Sequence, residues 1–308
     1  MVTSGGPAPP FSRFEVIPVT TQAGTPVVVG IDGSARALDA TRFAAAEAAL
    51  RHRPLRIVHV LHWPRLARGD RAEPPDSLLS QAHMWLHDAM VHADKEAPGI
   101  TVVKETLIGS PAAKLIGATL DAYLLVVGDR GLGGFTGLST GSMAVQVAMH
   151  AAAPVLVVRG LQRTDGPVVV GVDGSGMSGS ALEFAAEEAV LRGTELVAVH
   201  AWTMPAVVGP PAMMPLAYDP PAIQQDEGRV LADALAGVAA RYPGLTIRRE
   251  LVAGRPAKAL IDRSRHAQLV VVGSHGLGGF TGLLLGSVSQ HLIHHAPCPV
   301  LVVRKVRS

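Results

Sequence analysis

The stretch "PVVVGIDGS" at residues 26–34 recurs as "PVVVGVDGS" at residues 167–175. Val27, Val28, Val29 and Ile31 form a β-branched run with no polar alternation. That is the pattern of a strand covered on both faces, as in a parallel sheet. An Asp-Gly turn ends the run. An Ala-rich segment of good helix formers then fills residues 35–51.

The recurrence extends outward from there. "FAAAEAALR" at 43–51 returns as "FAAEEAVLR" at 184–192, again 141 residues on. "GSPA" at 109–112 matches "GRPA" at 254–257, and "PVLVVR" at 154–159 returns unchanged at 299–304, both 145 residues on. The second copy therefore carries a net four extra residues between its second and third strands. A period near 140 marks a duplicated domain, where solenoid repeats run roughly 20–50 residues.

Within the first copy, apolar runs predict strands over 27–31, 56–61, 101–107, 123–127 and 155–158. Helices are expected over 35–51, 77–96, 111–120 and 142–150. Leu78, Ala82, Trp85 and Ala89 keep helical spacing, and Pro111 suits a first helical turn. Alternating strands and helices imply an α/β fold with a mostly parallel sheet and helices on both faces. The expectation is two tandem, open, twisted five-stranded sheets. A flexible Pro/Gly-rich leader occupies 1–24, and the domains occupy 25–160 and 166–308, joined by the seam "GLQRTDG".

Composition agrees with two globular domains. The 308 residues match a prior of about 150 per domain, with 48% hydrophobic and 17% charged residues. A net charge of +2 gives no electrostatic reason to expect nucleic acid or an anionic membrane surface. No apolar run approaches the roughly 18 residues a span requires, and the leader does not read as a secretory signal. The single Cys298 cannot form an intramolecular disulfide, which fits a reducing cytoplasm. Its setting, "APCPVLVV", favours a packed small hydrophobe over a reactive thiol.

A glycine-rich loop follows the fourth strand of each copy. "GDRGLGGFTGLSTGS" at 128–142 and "GSHGLGGFTGLLLGS" at 273–287 agree at eleven of fifteen positions. In an open parallel sheet, ligands bind beyond the C-terminal strand ends where strand order reverses. Glycine lets backbone approach a ligand closely. Gly141-Ser142 and Gly286-Ser287 then open helices, whose free N–H groups favour phosphate. Each bond to a charged oxygen contributes about 1.5–3 kcal/mol, and a micromolar complex needs only about 8 kcal/mol. The spacing departs from G-x-G-x-x-G, and no lysine precedes Ser142 or Ser287 as a Walker loop demands. That absence argues against fast phosphoryl transfer.

The motif Gly128-x2-Gly131-x9-Gly141-Ser142 and its copy resemble the universal stress protein family in its tandem form. So do Asp32 and Asp173 after the first strands, and His-Val or His-Ala ending the second. The resemblance covers residue 25 to the C-terminus. It implies strand order 3-2-1-4-5 and ATP binding, usually with Mg²⁺, with slow hydrolysis or none. It places Asp32 and Asp173 at the nucleotide, with Gly30 and Gly171 in the same turns. It puts Val60 and Ala201 at the adenine, and Val127 and Val272 along the base pocket. Gly128, Asp129, Arg130, Gly131, Leu132, Gly133, Gly134, Gly141 and Ser142 would wrap ribose and phosphates in the first copy. Gly273, Ser274, His275, Gly276, Leu277, Gly278, Gly279, Gly286, Ser287 and Val288 would do so in the second. The copies differ where Asp129-Arg130 faces Ser274-His275: a carboxylate near phosphate favours the second site.

Other residues read as structure. His59 and His200 are expected to pack against the pocket wall. His83 and His87 lack an obvious third metal ligand, as does "HLIHH" at 291–295, so no metal site is assigned. The insertions at 64–75 and 204–221 are candidate lids, the latter with an apolar stretch at Pro211, Ala212, Met213 and Met214. The last strand of each copy would be an exposed apolar edge. In the resembled family such edges pair, giving a pseudo-dimer of halves, and a homodimer of chains fits as well. The expected function is a cytoplasmic, ATP-binding stress-response regulator with one nucleotide per domain, an unidentified protein partner and no assigned catalytic residue. A nucleotide-free interaction scaffold is the alternative, and a slow ATPase the third reading.

Overall fold

The computed structural model describes residues 24–63, 74–131, 142–203, 220–277 and 284–304. The expected leader, most of both insertions, Leu132, Gly133, Gly134, Gly141, Gly278 and Gly279 lie outside the described residues.

The first half runs β1 (Val27–Ile31), α1 (Ala35–Leu50), β2 (Leu55–Leu61), α2 (Asp76–Glu96), β3 (Val102–Ile108), α3 (Pro111–Ala118), β4 (Leu124–Gly128), α4 (Ser142–His150) and β5 (Val155–Val158). The second half repeats it with β6 (Val168–Gly171), α5 (Gly176–Leu191), β7 (Leu196–Trp202), α6 (Pro220–Arg241), β8 (Ile247–Ala253), α7 (Pro256–Ser264), β9 (Leu269–Gly273), α8 (Ser287–His295) and β10 (Val300–Val303). Every expected element of the first half is present, with ends displaced by at most two residues.

Each half has the parallel order 3-2-1-4-5. The two sheets do not stay separate. β5 and β10 pair antiparallel, with Leu156 opposite Leu301, and fuse the halves into one ten-stranded sheet. The edges expected to seek a partner have found each other.

Val27, Val28 and Val29 are all 0% exposed, so the unbroken apolar run is covered on both faces. α1, α2, α5 and α6 cover one face with Ala40, Ala44, Leu86, Ala185 and Leu235. α3, α4, α7 and α8 cover the other with Leu115, Val147, Leu260 and Leu292. Burying each such Val or Leu contributes about 1.5–3 kcal/mol. The alanines of α1 and α5 keep those helices close to the strands.

The joint between halves also holds four buried charges. Glu47 and Arg51 end α1, and Glu188 and Arg192 end α5. Each arginine binds both glutamates, one in its own helix and one across the joint. Arg192 Nε lies 3.1 Å from Glu188 Oε2, and both carboxylates are 1% exposed. Beside them, the Tyr123 hydroxyl donates to Glu187 at 2.8 Å, and the Tyr123 ring packs on Phe184. The repeated Glu-x3-Arg of "EAALR" and "EAVLR" was a legible signal for this network. Its pairing across the halves was not.

Removing one member strands the others in a dry joint. Arg192→Met is expected to lower the unfolding free energy by about 3–5 kcal/mol, measured by denaturant titration. Burial, with Glu47 alongside, pushes the Glu188 carboxyl up from 4.5 to about 7 despite Arg51 and Arg192. The folded carboxyl holds its proton more tightly than the unfolded one. Stability tied to that proton is fully present below about pH 4.5 and is lost as pH rises through about 7. Across that window the thermal midpoint of the wild type should fall relative to Glu188→Gln, whose amide does not titrate.

Candidate functional site

The turn after β1 does two jobs. Asp32 Oδ1 accepts from the Ser34 N–H at 3.1 Å, and Ser34 Oγ accepts from Ala37 N–H at 3.1 Å, capping α1. The second copy repeats this with Asp173 Oδ1 to Ser175 N–H at 3.0 Å and Ser175 Oγ to Ser178 N–H at 3.2 Å. The glycine between them has φ of 84° at Gly33 and 81° at Gly174, which only glycine adopts freely. Turn chemistry therefore accounts for one carboxylate oxygen of each aspartate.

The other oxygen reaches the glycine loop. Asp173 Oδ2 accepts from the Leu277 N–H at 2.9 Å. A Cβ on Gly276 would lie 2.3 Å from that oxygen, and one on Gly131 would lie 2.2 Å from Asp32 Oδ2. The preceding glycines are less tightly confined: a Cβ on Gly128 would meet the Arg36 carbonyl at 3.2 Å, and one on Gly273 the Met177 carbonyl at 3.1 Å. These glycines thus let the loop start lie directly on the first turn. Burial alone would raise the Asp173 carboxyl. The Ser175 hydroxyl and the N–H groups of Ser175 and Leu277 outweigh it and hold the group below its ordinary value.

In the second copy the loop closes at β9. Gly286 N–H donates to the Ser274 carbonyl at 2.7 Å, and the Ser289 hydroxyl to the Gly273 carbonyl at 2.6 Å. Ser274 Oγ lies 3.1 Å from His275 Nδ1. Gly286 caps α8 and, having no side chain, adds no side-chain bond to the first turn that Ser287 and Val288 open. In the first copy Ser142 opens α4. There Asp129 is only 5% exposed, its Oδ1 sits 3.9 Å from Arg36 Nε, and that oxygen accepts no hydrogen bond. Arg36, in the first turn of α1, is a neighbour that sequence reasoning missed. Arg130 is exposed.

The apolar members share the sheet face under α3, α4, α7 and α8. Val60 and Val127 of the first half and Val272 of the second are buried in one cluster with Leu115 and Leu260, and Ala201 and Val288 pack against it. Gly30 leaves room for the Leu115 side chain and Gly171 for Leu260 and Val272. The histidines behave as wall residues. His59 Nδ1 meets the Ile31 carbonyl at 3.0 Å and its ring stands edge-on to Trp85, while His200 Nδ1 meets Val172 at 2.7 Å and its Nε2 meets Glu227 at 2.7 Å. They fix the carbonyl just before each aspartate. Among the described residues no group of three or more His, Cys, Asp or Glu is placed to hold a metal. Cys298 is buried, and burial pushes its thiol up to about 12, as a packed hydrophobe requires.

A family model described as the universal stress protein family matches residues 25–159 and again 166–304. The chain belongs to that family. A universal stress protein of Mycobacterium tuberculosis is 38% identical over 294 residues, covering 91% of this chain and 97% of that protein. One of Mycolicibacterium smegmatis is 37% identical over 293 residues, covering 90% and 96%. The crystal structure of a universal stress protein from Archaeoglobus fulgidus superposes with a TM-score of 0.67 at 20% identity, over 92% of this chain and 99% of that one. At that identity the likeness speaks for the fold, a tandem universal stress protein architecture. Among the described residues no helix is long and apolar enough to cross a membrane.

The junction between turn and loop is directly measurable. Asp173→Ala removes the acceptor for the Leu277 N–H, so exchange of the Leu277 amide is expected to quicken severalfold by hydrogen-exchange NMR. An unchanged rate would show that the aspartate does not hold the loop.

Proposed function

We propose that the chain binds one adenine nucleotide in each half, ATP with Mg²⁺, and acts as a nucleotide-dependent regulator rather than a fast enzyme. The observation that carries the reading is the duplicated junction of an aspartate with a glycine loop, beside the helix starts at Ser142 and Ser287. The residues fit such a ligand. Val60, Val127, Ala201 and Val272 offer an apolar wall to a base. Asp173, held ionised, and Asp32 offer carboxylates to ribose hydroxyls. Ser142, Ser287 and Val288 offer helix-start N–H groups to phosphate oxygens. Mg²⁺ would neutralise phosphate charge that no lysine of these loops meets. Gly30, Gly171, the loop starts Gly128, Asp129, Arg130, Gly131 and Gly273 to Leu277, and the residues outside the described set complete the proposed sites.

A regulatory role is in keeping with the chemistry on offer: loop and helix-start N–H groups to hold phosphates, and no lysine in either loop to neutralise charge during their transfer. The protein partner that reads the bound state, and a homodimer of chains, belong to the same proposal. So does a reducing cytoplasm, which suits the single buried thiol.

Denaturing the purified protein and identifying released nucleotide by mass spectrometry tests this directly. About two ATP per chain are expected, with one lost in Gly131→Ala and one in Gly276→Ala, since each methyl would meet the aspartate that lies against its loop. No released nucleotide, and no binding when ATP and Mg²⁺ are added back, would leave the interaction scaffold as the better reading.

A further inference from the structure

The repeated "PVLVVR" ends each half on an arginine, and neither arginine serves its own half's helix. Arg159, just after β5, is 8% exposed and lies at the C-terminus of α8 in the other half. Its guanidinium donates to the carbonyls of His294 at 2.8 Å, of Leu292 at 3.4 Å and of Ala296. Arg304, just after β10, does the same to α4, donating to the carbonyls of Ala148 at 3.2 Å and of Met149. The antiparallel pairing of β5 with β10 makes the exchange unavoidable, because it carries the end of each strand over to the opposite half.

α4 and α8 are nine residues long. Each begins at the Gly-Ser pair that closes a glycine loop and ends in the other half's arginine. The last carbonyls of a helix lack partners of their own and carry the negative end of its dipole. A guanidinium with several donors, buried at Arg159 and half-buried at Arg304, satisfies both needs and fixes where the helix ends. A helix this short moves as one piece, so fixing its far end fixes its first-turn N–H groups. Arg159 adds a further link, since the Asp129 charge at the start of the first glycine loop acts on it.

We propose that Arg159 and Arg304 are crossed positioning residues, each setting the nucleotide affinity of the site in the opposite half, so that the two sites are energetically coupled through the joint. The proposal rests on the nucleotide reading given above and adds its regulation. Any shift that nucleotide makes in one helix is carried through its arginine to the other half's terminal strand, and the effect is reciprocal by linkage.

Calorimetric titration with ATP and Mg²⁺ in single-site parents tests it. In Gly276→Ala, which retains the first site, Arg304→Gln is expected to raise Kd about tenfold. In Gly131→Ala, which retains the second site, Arg304→Gln is expected to leave Kd within about twofold, whereas Arg159→Gln raises it about tenfold. Arg304→Lys keeps the charge with fewer donors and should give an intermediate Kd at the first site. It also serves as the test if the Gln variant does not fold, as judged by its thermal midpoint. If Arg304→Gln or Arg304→Lys weakens the second site, or if neither changes the first, the crossed role is overturned while nucleotide binding stands. Parents that bind no ATP would overturn both.

Discussion

The antiparallel pairing of β5 with β10 is the contact on which the rest of the molecule depends. It converts two parallel sheets into one and removes the two most apolar edges from solvent. It also sets the pseudo-twofold axis between Leu156 and Leu301. Everything repeated in the sequence then meets its own copy across that axis: Glu47 and Arg51 meet Glu188 and Arg192, and Arg159 and Arg304 trade helices.

This symmetry gives repeated residues a role that a single domain does not. A glutamate and an arginine four apart on one helix form an ordinary pair worth a few tenths of a kcal/mol on a surface. Buried against their duplicate, they become a four-membered ring whose removal one member at a time is costly. The carboxylate at position 188 is pushed toward neutral pH by that burial. The joint therefore carries its own dependence on acidity, separate from anything at the glycine loops.

The glycine loops have two explanations that support each other. Gly131 and Gly276 are confined by Asp32 and Asp173, and Gly128 and Gly273 by the carbonyls of Arg36 and Met177. Internal packing already disfavours a side chain at those positions. The same packing brings a carboxylate, an apolar wall and a helix start to the C-terminal ends of the strands, where α/β folds hold ligands. The first copy differs by its buried Asp129 and by Arg36, where the second has Ser274 and Met177.

How much of this was legible in the sequence follows from the range of each interaction. Strands and helices were readable because burial on both faces writes continuous Val runs, as in Val27–Ile31, and helix packing writes Ala and Leu at helical spacing. The duplication and the order of the glycine motif were readable for the same reason: they are local patterns. The partners of the charged residues were not. Arg36 beside Asp129, Arg159 on α8 and Glu47 with Arg192 are separated by roughly 90 to 145 positions in the chain. Nothing in the local composition of "PVLVVR" says that its arginine will leave its own half. The sequence by itself determined two copies of one α/β module and the positions of their loops. The tertiary structure alone decided the antiparallel register in which the expected edges meet and the crossing of the arginines, because strand-edge pairing and charge burial are satisfied only by groups distant in the chain.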